Sequence, residues 1–231
     1  MSTFDLNVIY ADDVLLAVEK PQGLLVHGDG TGAHTLTDDV AAWLADNGRD
    51  PVTTRPQAVQ RLDVETTGLV LFSLDTATQP ALDAQVAGRS MEKTYLAAVA
   101  GRFPWATRDV DDPVGRDRHD AHRMRACRPG QGKPALTHVR RLAFSHGRSL
   151  LAVSIETGRR HQIRVHLASL GFPIVGDTLY GGARSDARRG ENGLLLHAWR
   201  ETLSHPATGE PLVLQTPWPE RLGSWDPACV K

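Results

Sequence analysis

Gln60-Arg61-Leu62-Asp63-Val64-Glu65-Thr66-Thr67-Gly68-Leu69-Val70-Leu71-Phe72-Ser73-Leu74 passes within one short stretch from charged and polar residues to an almost wholly apolar run. The run Gly68–Leu74 has the length and composition of a buried strand, which places a carboxylate, Asp63, at the edge of a rigid element two residues after an arginine. An acid so placed can serve as a nucleophile or general base. It can equally be a loop Asp that caps backbone amides.

Outward from this stretch, strand signals come in clusters with few helices between them. Asn7–Tyr10, the turn Ala11-Asp12-Asp13 and Val14–Glu19 form a hairpin pattern. Thr35 with Asp38 forms a capping box for a helix through Val40, Trp43 and Leu44 that should stop at Asn47-Gly48. A helix over Thr78–Val86 and a strand over Lys93–Ala100 follow. Phe103–Pro134, rich in Arg, Asp, Gly and Pro, is expected to be a long, partly mobile loop or hairpin. Ala135–Leu142 and Leu150–Ile155 are expected strands, and Gly158–Leu170 an expected helix. Leu194–Leu203 and Pro211–Gln215 flank a turn-rich connection from His205 to Glu210. This order favours an α+β fold with a mixed, mostly antiparallel central sheet and flanking helices and loops. No linker divides the chain, so residues 1–231 are expected to form a single domain, with two lobes at most.

The chain has 231 residues, 41% hydrophobic and 23% charged, an ordinary globular composition that excludes a wholly disordered chain. Cys127 and Cys229 have neither metal-ligand nor disulfide spacing, and the N-terminus lacks a signal-peptide pattern. No apolar run approaches the ~20 residues of a membrane span. A cytoplasmic protein is the expectation. Formal net charge is −1, but its distribution is uneven. Residues 1–100 carry 6 basic and 14 acidic side chains, residues 101–170 carry 14 and 6, and residues 171–231 carry 6 and 7. A +8 block inside a neutral chain is a candidate polyanion footprint. A solvated basic surface is the plainer alternative.

Two further constellations carry chemistry. In Thr157-Gly158-Arg159-Arg160-His161-Gln162-Ile163-Arg164-Val165-His166, helical spacing puts His161, Arg164 and Ala168 along one side, with Ile163, Leu167 and Leu170 toward the core. A guanidinium there can pair with a carboxylate or clamp a phosphate, unless the helix is simply basic and solvated. His161 and His166 lack the spacing and the companion Glu of a zinc motif, so no metal site is expected. In Glu92-Lys93-Thr94-Tyr95, strand alternation puts Lys93 and Tyr95 on one face, where the tyrosine can stack on a base or move a proton. No Walker loop or dinucleotide fingerprint is present, so no cofactor is expected.

Together, and in this order, the motifs resemble those of the RluA-type family of RNA pseudouridine synthases. Its H-R-L-D-x-x-T-S-G-L motif matches Arg61-Leu62-Asp63 and Thr66-Thr67-Gly68-Leu69. Its K-x-Y matches Lys93-Thr94-Tyr95, and T-G-R-x-H-Q-I-R-x-H-L matches Thr157 through Leu167. Lys20-Pro21, Gly23-Leu24, Gly132-Lys133, Gly176-Asp177, Tyr180-Gly181, Leu196-His197-Ala198 and His205-Pro206 also fit, so the resemblance runs from about residue 7 to about 222. Gln60 stands where the family usually has His, and Thr67 where it has Ser. The resemblance implies the short form without an N-terminal S4 module, a catalytic fold with a central RNA-binding cleft, and isomerisation of uridine in structured ribosomal or transfer RNA. It implies Asp63 as the essential carboxylate, Arg164 as its ion-pair partner and Tyr95 as the residue stacked on the uracil. RNA contacts are then expected from Arg61, Lys93, Arg159, Arg160, His161 and Gln162, and a monomer is expected. A binding module without catalysis, and a metal hydrolase using His161 and His166, are the competing readings.

Overall fold

A strand buried on both faces needs no polar alternation, and the first strands of this chain show the consequence. The computed structural model describes residues 6–181, 193–223, 225, 226 and 228. By contact the chain separates into two compact units, residues 1–92 with 198–216 and residues 93–197 with 217–231.

In the first unit, β1 (Val8–Ala11) and β2 (Leu15–Lys20) form the expected antiparallel hairpin. Helix α1 (Leu36–Asp46) starts at the Thr35–Asp38 capping box, in which each residue's side chain meets the other's backbone N–H, and ends at Asn47. A single turn of helix, α2 (Pro51–Thr54), and the short β3 (Gln57–Ala58) lead to β4 (Thr67–Ser73), every residue of which is buried. Helix α3 (Gln79–Gly88) follows. Strand β4 pairs antiparallel with β2 and β3. Leu16, Val18, Val70 and Phe72 face one way and pack with Leu36, Val40 and Leu44 of α1. Leu15, Ala17, Leu69 and Leu71 face the other way and pack with Leu82 of α3. The uninterrupted apolar run of β4 is thus two alternating faces, each with its own helix. Each of these fully buried aliphatic side chains contributes roughly 1.5–3 kcal/mol.

The second unit opens with β5 (Glu92–Ala100), most of which lies in it. The stretch expected as a long loop or hairpin contains three short strands, β6 (Thr107–Val110), β7 (Val114–Arg116) and β8 (Met124–Ala126). β7 and β8 pair with each other as a separate hairpin. β9 (Thr137–Ser145) and β10 (Arg148–Ile155) follow, giving the antiparallel order β5-β10-β9-β6. The expected helix is shorter than its pattern: α4 covers Gln162–Ser169. His161, at its N-terminal boundary, has φ 56, so Gly158–His161 form a turn rather than helix. Gln162 through Leu167 are all buried, including Arg164 and His166, so α4 has no solvated basic side.

The chain returns to the first unit within β11 (Leu196–Ser204), which forms a hairpin with β12 (Pro211–Gln215) closed by His205–Glu210. There the strand order is β1-β2-β4-β11. Gly68 permits the approach of β11 to β4. At its φ of +109 a Cβ would lie 2.2 Å from the Ala198 carbonyl oxygen, so only glycine fits. The architecture is α+β, mostly antiparallel, with few helices. Among the described residues no helix is long and apolar enough to cross a membrane.

Candidate active site

Asp63 lies in the loop that enters β4, and the loop is pinned from below by a buried lysine. The Lys20 side chain is 0% exposed, and its Nζ donates to the carbonyl oxygens of Pro21 (2.8 Å), Leu24 (2.7 Å) and Val64 (3.0 Å). Gly23 N–H donates to the same Val64 oxygen at 2.9 Å, and Thr66 N–H donates to the Asp63 carbonyl at 3.0 Å. Gln22 and Glu65 join side chains at 2.6 Å. On the near side of Asp63, Leu62 packs against the α1 core and Gln60 Nε2 donates to buried Glu201 on β11. Every neighbour of Asp63 in sequence is therefore held, except Arg61, which is exposed. Asp63 itself is half-buried.

Burial pulls the Lys20 ammonium down to about 8, against the attraction of Glu65 and Asp63. At neutral pH it keeps its charge, because three carbonyl oxygens take up its three donors. The family resemblance implies Arg164 as the cation opposite Asp63. Within its own unit Asp63 has Lys20, one of the supporting motif positions.

In the second unit, Tyr95 lies on β5 opposite Val153 of β10 and is 7% exposed, with half-buried Lys93 two residues before it. Arg164 is clamped. Its Nε donates to Asp177 Oδ2 at 2.8 Å and its Nη2 to Oδ1 at 2.9 Å, in a pair with side-chain exposures of 6% and 0%. Asp177 Oδ1 also accepts from the Leu179 and Tyr180 backbone N–H groups, each at 2.9 Å. A bidentate clamp to a carboxylate that is itself held leaves the guanidinium one orientation. The guanidinium carbon sits 5.2 Å from the centre of the Tyr180 ring. The Tyr180 hydroxyl accepts from Met124 N–H at 2.7 Å and meets His161 Nδ1 at 2.7 Å. Asp177 and Tyr180 were not singled out from the sequence as site residues. The signal available was their place in Gly176-Asp177…Tyr180-Gly181.

Two expected RNA contacts have other work. Gln162 is 3% exposed, and its amide oxygen accepts from the Thr157 hydroxyl and Arg159 N–H. Its amide nitrogen donates to the Leu136 carbonyl and the Thr137 hydroxyl, so it ties α4 to β9 rather than facing a ligand. His161, in turn, orients Tyr180. His166 is buried between the Thr137 hydroxyl and the Asp112 carbonyl, each at 2.8 Å, and burial pushes its pKa down. The neutral ring donates from Nε2 to Asp112 and accepts at Nδ1. The two histidines thus serve separate hydrogen-bond networks. Among the described residues no group of three or more His, Cys, Asp or Glu is arranged to hold a metal ion. Cys127 is buried, and Cys229 lies outside the described residues.

Arg160 is exposed and Arg159 half-buried, their guanidinium groups donating to the His122 and Pro134 carbonyls. The β7–β8 hairpin and the loop after it frame a concavity of about 400 Å³ lined by Asp117, Arg118, His119, Arg125, Arg128 and Gln131. Three arginines of the basic block, Arg118, Arg125 and Arg128, line it.

The fold and these geometries define an α+β protein with a carboxylate on a pinned loop at the head of a buried strand and a clamped arginine on a buried helix. The sequence profile of RNA pseudouridylate synthases matches residues 14–169, and the chain belongs to that family. Ribosomal large subunit pseudouridine synthase D of Nitrosomonas europaea is 37% identical over 227 residues, 95% of this chain and 64% of that protein. The RNA pseudouridine synthase YhcT of Bacillus subtilis, described as uncharacterized, is 35% identical over 93% of this chain and 69% of its own length. The solved structure of human RNA Pseudouridylate Synthase Domain Containing 1 superposes with a TM-score of 0.78 at 27% identity. That match covers 99% of this chain and 89% of the human one. The chain spans 64% of the length of the Nitrosomonas protein and about the same share of the other bacterial relatives.

Proposed function

We propose that the chain is an RNA pseudouridine synthase that isomerises uridine in structured ribosomal or transfer RNA. The uracil is detached from its ribose, turned, and rejoined through C5, which gives up its proton to solvent while N1 takes one up, so no group is transferred to or from a second substrate. Asp63 is the essential carboxylate, and Tyr95 and Arg164 are its catalytic partners. The observation that carries this reading is the pinning of the Asp63 loop by buried Lys20, which fixes the backbone that bears the carboxylate at the entry to a buried strand. A nucleophile or base works best when its support is rigid.

Reaching a glycosidic bond requires the nucleotide to leave its stack, at a cost of a few kcal/mol that is least in a loop. Exposed Arg61, two residues from Asp63, is suited to the space the nucleotide leaves. Lys93, Arg159 and Arg160 and the arginines of the β7–β8 concavity are suited to phosphates. Arginine outnumbers lysine 22 to 4 in this chain, which favours bidentate phosphate contacts. The partner is a folded stem-loop, and the chain acts on it as a monomer in the cytoplasm without cofactor. Release of tritium from RNA labelled at uridine C5 tests the reaction: wild-type protein releases it, and the Asp63→Ala variant does not.

A further inference from the structure

One exposed face of the second unit is not used by the reading above. Trp105 is 37% exposed and Phe144 44% exposed, both large apolar side chains on an otherwise polar surface. Each has a guanidinium over its ring: Arg108 lies 5.3 Å from the Trp105 ring centre and Arg102 5.3 Å from that of Phe144.

The shelf is rigid. Phe103, 0% exposed, meets Trp105 edge-on at 5.2 Å, and Phe172 closes the group at 5.2 Å from Phe103 and 6.1 Å from Trp105. Phe103 N–H donates to the Ser149 hydroxyl, which donates to the Gly101 carbonyl. Arg141 of β9 holds the Phe103 carbonyl with its guanidinium and the Ala106 carbonyl with its backbone N–H. Segment 101–106 is thereby fastened to β9 and β10, and the indole keeps its place without a ligand.

Fixed aromatic faces alternating with guanidinium planes, inside the basic third of the chain, complement unpaired bases and the phosphates between them. We propose that Trp105 and Phe144, with Arg102 and Arg108, form a second RNA contact, a stacking shelf for a single-stranded stretch flanking the modified stem-loop. The proposal rests on the RNA-modification reading for its substrate and is tested by binding, not turnover.

The probe is a fluorescently labelled RNA stem-loop with a single-stranded adenosine flank of about eight nucleotides, compared with the same stem-loop without it. Trp105→Ala weakens binding of the flanked RNA roughly tenfold and leaves the flankless one unchanged, while Trp105→Phe keeps most of the affinity. Arg108→Gln, an exposed change that cannot unfold the chain, weakens the flanked RNA a few-fold and lowers its salt slope by about one. Equal affinity of wild type, Trp105→Ala and Arg108→Gln for the flanked RNA overturns the proposal. So does a Trp105→Ala loss shared by both RNAs while Arg108→Gln is silent. Self-association that Trp105→Ala abolishes, with RNA affinity unchanged, assigns the face to a second copy and also overturns it. A chain without isomerase activity whose flanked-RNA binding still depends on Trp105 removes the functional reading and keeps the shelf. An active chain indifferent to Trp105 does the reverse.

Discussion

The ammonium of Lys20 lies 3.0 Å from the carbonyl oxygen of Val64, the residue after Asp63. A residue at the end of β2 thus fixes the backbone that carries the proposed catalytic carboxylate. Its burial is tolerated because every donor has a carbonyl partner.

Lys20→Met keeps most of the volume and removes the three donors. It leaves the Pro21 and Leu24 carbonyls without this partner and loosens the Asp63 loop. The expected cost is about 2–3 kcal/mol of unfolding free energy, seen as a lower denaturant midpoint, with a fall in kcat larger than the change in KM. Unchanged stability together with unchanged kcat counts against the pinning.

Arg164 and Asp177 form a buried bidentate pair, so either single truncation strands a charge. Asp177→Leu and Arg164→Met are each expected to destabilise by about 3 kcal/mol or more, and the double variant by clearly less than their sum. Urea unfolding of the four proteins measures the coupling. Additive losses would show that the two side chains do not depend on each other.

His197 is 3% exposed, and burial, with the Arg221 charge beside it, lowers its pKa to about 3. Between its ordinary value near 6.5 and about 3, the unfolded chain binds a proton that the folded chain refuses. Stability therefore falls as pH falls through that window, by roughly 3–5 kcal/mol at its lower end. His197→Gln should flatten the thermal-unfolding profile between pH 6.5 and 4. An equally steep profile in the variant would place the acid sensitivity elsewhere.

The sequence made the buried strands and the Thr35 cap legible because each has a local cause: an apolar run between turn residues, or a side chain that meets the amide three positions on. It allowed a hairpin in Phe103–Pro134 but did not locate β6, β7 and β8, whose short, arginine-bearing segments lack a hydrophobic period and are strands only because β9, or each other, completes their hydrogen bonds. The start of α4 was placed too early for a related reason. Helical spacing continues through Arg159 and Arg160, but the positive φ of His161, bonded to Tyr180, ends the helix there. The Arg164–Asp177 pair is hidden, since a contact across 13 residues leaves no periodic trace. The burial of Gln162, expected as an RNA contact, is hidden too, because nothing local reveals that Thr137 and Leu136 of the neighbouring strand region satisfy its amide.

The central claim is that Asp63 carries the chemistry. Tritium release from C5-labelled RNA by wild-type and Asp63→Ala proteins, with RNA affinity measured alongside, tests it most directly. The account predicts that Asp63→Ala loses release to the level of buffer, about 10⁴-fold or more, while its affinity for RNA stays within a few-fold of wild type. Appreciable release by a clean Asp63→Ala preparation would contradict it.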